Sequence, residues 1–171
     1  MTGKRMGHVT MVMSAVLLAP GVLTAQSATV TPDPAEAEAA AVAVITELFD
    51  AMRASDAETM RGLFAEEVAG FPSSYVNQQN QPVIRMGGLE DFLESVAAAE
   101  PGSLDEQFTV RDVLVDDNLV TVVTPYTFTY QGDFSHCGVD VFLIARHGEE
   151  WKIAGLADTR RRGGCEGWLD E

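Results

Sequence analysis

From Phe108 to Cys165 the chain alternates apolar and polar positions with the two-residue period of strands, in segments rich in Val, Thr, Phe and Tyr. The pattern predicts four long strands in series. Their turns fall at Asp116-Asp117-Asn118, Gln131-Gly132-Asp133 and His147-Gly148-Glu149. Phe108, Val110 and Leu114 share the alternation that opens the run. Pro125 interrupts the second strand and predicts a bulge or bend there. Trp151 and Ile153 read as core residues of the last strand.

Upstream the apolar spacing becomes helical. Asp33-Pro34-Ala35-Glu36 is a helix start, with Asp as cap, Pro at the first position and Glu reaching back. Val42, Ile45, Phe49 and Met52 then form one apolar face of a long helix that ends near Ala54. Ser55-Asp56-Ala57-Glu58 repeats the start signal for a shorter helix carrying Met60, Leu63 and Phe64. Tyr75-Val76 and Val83-Ile84 flank polar residues 77–81, a hairpin or a loop over the domain mouth. Leu89, Phe92, Leu93 and Val96 make a third helix face, which Pro101-Gly102 stops. Helices ahead of strands make this a small α+β domain.

The first residues carry a different signal. Lys4 and Arg5 precede an apolar stretch from Val9 to Leu23, broken at Pro20-Gly21 and followed by small residues. That is a signal peptide over residues 1–25, cleaved between Ala25 and Ala28, with a linker over 26–33. The apolar stretch is shorter than the roughly 18–20 residues a spanning helix needs. The mature domain, residues 34–171, is therefore expected outside the cytoplasm, periplasmic or extracellular, with no membrane segment left. Its length suits a single core.

Charge narrows the partners. The chain holds 11 Lys+Arg against 26 Asp+Glu, a net −15, and loss of Lys4 and Arg5 takes it to −17. Such a surface repels phosphate backbones and anionic membranes, so no nucleic acid partner is expected. The two cysteines, Cys137 and Cys165, both lie in the mature domain. In an oxidising compartment they are expected to form a disulfide, restricting the unfolded chain by roughly 3–4 kcal/mol. The rival is a Cys137 thiol activated by His136. Adjacent strand residues point to opposite faces, which places that pair badly for proton transfer.

The order helix, helix, hairpin, helix and four antiparallel strands resembles the nuclear transport factor 2-like superfamily. Tyr126-Thr127-Phe128, Ser135-His136-Cys137-Gly138-Val139-Asp140, Trp151-Lys152-Ile153 and Asp158-Thr159-Arg160 with Cys165 resemble its exported SnoaL-like, or lumazine-binding, branch. The resemblance spans about residues 35–165. It implies a cone: three N-terminal helices packed on a strongly curved, mostly antiparallel sheet around an internal pocket. Ketosteroid isomerases, scytalone dehydratase, limonene epoxide hydrolase and polyketide cyclases share that fold with different acids and bases, so fold implies no reaction.

Strand periodicity places His136 and Asp140 on one face, and Asp158 and Arg160 on one face. A pocket lined by Tyr126, Tyr130, His136, Asp140, Asp158 and Arg160 follows if those faces turn inward. His136, Asp140, Asp158 and Arg160 are the catalytic candidates. A histidine beside a carboxylate serves as a general base, an aspartate beside arginine stays ionised, and the tyrosines donate hydrogen bonds. Each has a plain structural role as well: an ion pair at the sheet end, a packing tyrosine, a histidine supporting the disulfide. One residue of strand slip would exchange the faces. No metal cluster has ligand spacing, no glycine loop cradles a phosphate and no nucleophile elbow is present, so no cofactor is expected.

Two functions fit these residues. One is a small-molecule-binding domain for a mostly apolar ligand. The other is an isomerase, dehydratase or cyclase using a His/Asp acid–base pair in the same pocket. A homodimer through the outer sheet face is a third expectation about partners.

Overall fold

The structure is a computed structural model that describes Thr2, Gly3 and residues 31–169. The expected signal peptide and most of the linker lie outside the described residues. Among those described, no helix is long and apolar enough to cross a membrane.

Helix α1 spans Pro34–Arg53, α2 Ala57–Leu63 and α3 Leu89–Ala97. The strands are β1 (Gly70–Val76), β2 (Pro82–Gly88), β3 (Leu104–Phe108), β4 (Asp112–Asp116), β5 (Leu119–Tyr130), β6 (Asp133–His147) and β7 (Glu150–Arg160). They form one sheet in the order β2-β1-β7-β6-β5-β3, with β4 also paired to β5. All pairs are antiparallel except β1–β7. The described residues form an α+β fold with three helices on a mostly antiparallel, open sheet.

The helix starts are simpler than the sequence suggests. Asp33 accepts from the Ala35 amide at 2.9 Å, and Asp56 accepts from Thr59 at 3.0 Å. Each aspartate caps its helix through its own carboxylate, which accepts from backbone N–H groups of the first turn. The buried stripe of α1 runs through Ala37, Ala41, Ile45, Leu48 and Met52, with Val42 at its border. Alanine at two of those positions lets the helix approach the sheet closely.

Three expectations for the sheet need correction. Phe108 ends β3 and does not open a long strand with Leu114. Phe108 pairs with Tyr126 while Asp112 pairs with Val123, so four steps along one chain face three along the other. That bulge reverses the faces: Val113 and Val115 pack on the core, while Val110 and Leu114 are exposed. Pro125 itself stays in register with Val139 of β6. Its carbonyl accepts from Thr109 inside the bulge, so the irregularity sits on the neighbouring strand, which tolerates the missing proline N–H. Within β5–β6 and β6–β7 the register shifts instead at Phe128/Thr129 and Leu143/Ile144.

Residues directly opposite in register share a face, so the inner sheet surface can be read in rows. Val120–Ile144–Ile153 and Val122–Phe142–Leu156 are apolar and meet the helices in the main core. Thr124–Asp140–Asp158–Ser73 follows, then Tyr126–Gly138, then Glu106–Phe128–His136. Polarity thus rises along one direction of the inner face. The disulfide Cys137–Cys165 joins β6 to the C-terminal segment, with Cα atoms 6.0 Å apart.

Candidate functional site

Where the polar rows begin, side chains no longer fill the space between sheet and helices. A cavity of about 450 Å³ remains. Leu48, Phe49 and Met52 of α1, Met60 of α2 and Phe92 and Val96 of α3 form its apolar side. Glu106, Tyr126, His136, Asp140, Asp158 and Arg160 form the opposite wall, with Tyr130 toward the rim. The six residues singled out in the sequence therefore all line one cavity, and Glu106 joins them.

Gly138 is what allows Tyr126 its position. A Cβ at Gly138 would lie 1.7 Å from the Thr159 carbonyl oxygen and 2.8 Å from the Tyr126 ring. Without one, the ring lies over the glycine and the phenol reaches across to β7. Its hydroxyl donates to the Thr159 carbonyl at 2.9 Å and lies 3.4 Å from Asp158 Oδ2. The same Oδ2 accepts from Arg160 Nε at 2.5 Å. Asp158 is 7% exposed, and its Oδ1 has no hydrogen-bond partner among the described residues.

Asp140, 5% exposed, lies between Thr124 and Asp158 in its row, and its Oδ2 also lacks a donor among the described residues. Across the cavity wall it meets Glu106. Two carboxyls in hydrogen-bonding reach can bond only through a proton on one of them. Burial pushes Glu106 up to about 8, with repulsion from Asp158 adding and the Asp140 contact opposing. Burial likewise raises Asp140 well above the usual range, and repulsion from Glu106 and Asp158 adds to it. Arg160 cannot neutralise three carboxylates, so the Glu106–Asp140 pair retains a proton near neutral pH.

His136 stands apart from the carboxyl pair. Its ring packs on Phe128 (centroids 5.1 Å apart) and edge-on to Tyr126 (5.7 Å), and Nδ1 is 3.0 Å from Ser135 Oγ. Four strand residues, roughly 13 Å, separate its Cα from that of Asp140. Burial, with the charge of Arg160 adding, lowers it to about 4, so the imidazole is neutral at pH 7. Asp140 is thus brought together with Glu106, and Asp158 with Tyr126 and Arg160.

Glu106 lies just ahead of Phe108, where the alternation through Val110 and Leu114 begins. The signal was present: Leu104, Glu106 and Phe108 are spaced by two, so a carboxylate shares the apolar inward face. The disulfide pairing also stands in the structure. Among the described residues no group of three or more His, Cys, Asp or Glu side chains is arranged to hold a metal.

A family model for the SnoaL-like domain matches residues 45–164. The chain belongs to the SnoaL-like family. Solved structures similar to it share the nuclear transport factor 2-like fold at low identity. An NTF2-like protein of unknown function from Silicibacter pomeroyi is 15% identical, with a TM-score of 0.58 over 76% of this chain and 100% of that one. A domain of unknown function with a cystatin-like fold from Nostoc punctiforme is 19% identical, with a TM-score of 0.56 over 79% of this chain and 84% of that one. A candidate dehydratase of the NTF2-like family from Streptomyces avermitilis is 18% identical, with a TM-score of 0.52 over 77% and 100%. No curated protein matches the sequence. At these identities the likeness extends to the fold alone.

Proposed function

We propose that this SnoaL-like domain is exported and binds a small, mostly apolar molecule with one hydrogen-bonding end. The cavity carries the reading. Its volume is in the range of small-ligand sites, and its polar groups converge on one wall. Asp140 Oδ2 and Asp158 Oδ1 are unsatisfied and border that wall, so a ligand hydroxyl or amide could supply their missing donor. The test is titration with neutral two- and three-ring alcohols and ketones, read by thermal shift and intrinsic fluorescence. Saturable binding that disappears in Ala99→Trp, which fills the cavity, is the expected result. No shift with any probe would sink the reading.

Export is supported by the leader pattern of residues 4–28 and by the disulfide. N-terminal sequencing of secreted protein should find a start between Ala25 and Ala28. A start at Met1 would remove both export and the exported, lumazine-binding-type branch.

A second reading is favoured by the Glu106–Asp140 pair. A carboxyl pair that retains one proton near pH 7 can both give and take it, as an isomerase, dehydratase or cyclase requires. Glu106, not His136, is then the partner of Asp140, and Tyr126 lies beside them. Exchange of the α-hydrogens of a bound ketone for deuterium should be catalysed by the wild type and lost in Glu106→Gln and Asp140→Asn. Binding without exchange would leave the domain a carrier.

A further inference from the structure

Only nine of the 11 basic residues lie beyond residue 30, and their placement is uneven. Arg53, Arg61, Arg111, Lys152 and Arg160 each pair with a carboxylate. Arg85, Arg161 and Arg162 have no such partner among the described residues, although the chain carries 26 acids. All three line one groove of about 880 Å³. Arg160 lines it too, and Asp91 is its one acidic side chain. In a chain of net charge −15, three unpaired guanidiniums gathered in one place concentrate positive potential where the surface otherwise has little.

Two elements bring them there. Arg85 pairs with Ser73, which pairs with Asp158, so Arg85 continues the row that holds the cavity aspartates. Arg161 and Arg162 lie on the C-terminal segment, which is tied down at three points. Arg161 exchanges backbone hydrogen bonds with Cys137 at 2.9 Å, Trp168 donates to the Gly138 carbonyl at 2.7 Å, and Cys165 is bonded to Cys137. Arg161 also lies over the Trp168 ring at 4.3 Å. The groove adjoins the cavity, sharing Phe71, Phe92, Ser95, His136 and Arg160 with it.

We infer that the groove is an oxyanion site at the mouth of the cavity, and that the ligand is an amphiphile with an apolar body and a terminal carboxylate or phosphate monoester. The apolar body rests on the cavity reading above, while the anionic end rests on Arg85, Arg161 and Arg162. Guanidinium forks suit either oxyanion, and Ser73 and Ser135 in the groove add hydroxyl donors. The proton held between Glu106 and Asp140 keeps the inner wall from carrying the full repulsion of three carboxylates.

The experiment compares 2-naphthoate with its methyl ester, together with 2-naphthyl phosphate, at pH 7 and low salt. Naphthoate should bind about tenfold tighter than the ester, a difference of about 1.4 kcal/mol. Arg85→Ala with Arg162→Ala should abolish that preference and leave ester binding unchanged. Both residues are exposed and unpaired, so folding should be unaffected. The stronger of naphthoate and naphthyl phosphate identifies the head group. Naphthoate and naphthyl phosphate both binding no tighter than the ester would overturn the anion site while the cavity reading stands. If none of the three naphthyl compounds binds, and the neutral ring probes do not bind either, the cavity reading and the amphiphile fall together. Pyrophosphate binding that the double variant loses would then preserve the oxyanion site, and its absence would overturn that as well.

Discussion

Two residues decide what the cavity wall can do. Glu106 has its proton affinity raised from an ordinary value of 4.5 to about 8, so its contribution to stability is full at acid pH and is lost as pH rises toward 8. His136, lowered from 6.5 to about 4, acts the other way: it contributes above pH 6.5 and loses its contribution as pH falls toward 4. The two oppose each other through the acid range, but from pH 6.5 to 8 only the carboxyl pair changes. The melting temperature should therefore fall between pH 6.5 and 8, and Glu106→Gln should flatten that fall. An equally steep decline in the variant would show that the proton sits elsewhere. Gly138 sets the other condition. Gly138→Ala drives a methyl into the Thr159 carbonyl and the Tyr126 ring, so the backbone of the neighbouring strand must shift. A loss of about 3 kcal/mol is expected from chemical denaturation, at the upper end of overpacking costs.

At the scale of elements, the C-terminal segment depends on one covalent link. The disulfide closes a span of 28 residues, and its removal should cost roughly 3–4 kcal/mol through the freed unfolded chain. Its local effect is more specific. Cys165→Ala leaves residues 161–169 held only by backbone bonds to Cys137 and by Trp168. Trypsin should then cut after Arg161 or Arg162 under native conditions, whereas the oxidised protein resists. Equal cleavage of both forms would mean that the disulfide does not anchor the segment. The bulge across 109–111 shows the same dependence of position on one feature. By reversing the faces it turns Val113 and Val115 inward, and it leaves Glu106 on the inner face ahead of it.

For the whole molecule, the outer sheet face is as informative as the inner one. Leu114, Thr121, Leu143 and Gly155 lie in one row, and Val123, Val141 and Ala157, with Asp112 at the end, in the next but one. Leu114 is 70% exposed and Leu143 42%. If the expected homodimer forms, an apolar stripe of this kind would suit its interface. Light scattering should find twice the chain mass, and Leu143→Arg should return it to one. A monomeric wild type would remove the expectation.

Local signals were enough for the three helices and for β5 to β7, though not for β3 and β4: aspartates before apolar stripes, Gln131-Gly132 and Gly148 at reversals, alternation over β5 to β7. They were enough as well for the shared faces of Asp158 with Arg160 and of His136 with Asp140, because side-chain direction along an unbroken strand has a fixed period. Three things were decided only by tertiary contact. The bulge opposite Pro125 depends on which strand accepts the missing donor. The Glu106–Asp140 meeting joins residues 34 positions apart through the pairing of β3, β5 and β6. The gathering of Arg85 with Arg161 and Arg162 needs β1 to pair in parallel with β7. Each is a matter of register between distant segments, and register is set by how the sheet closes on its core, not by any one segment's pattern.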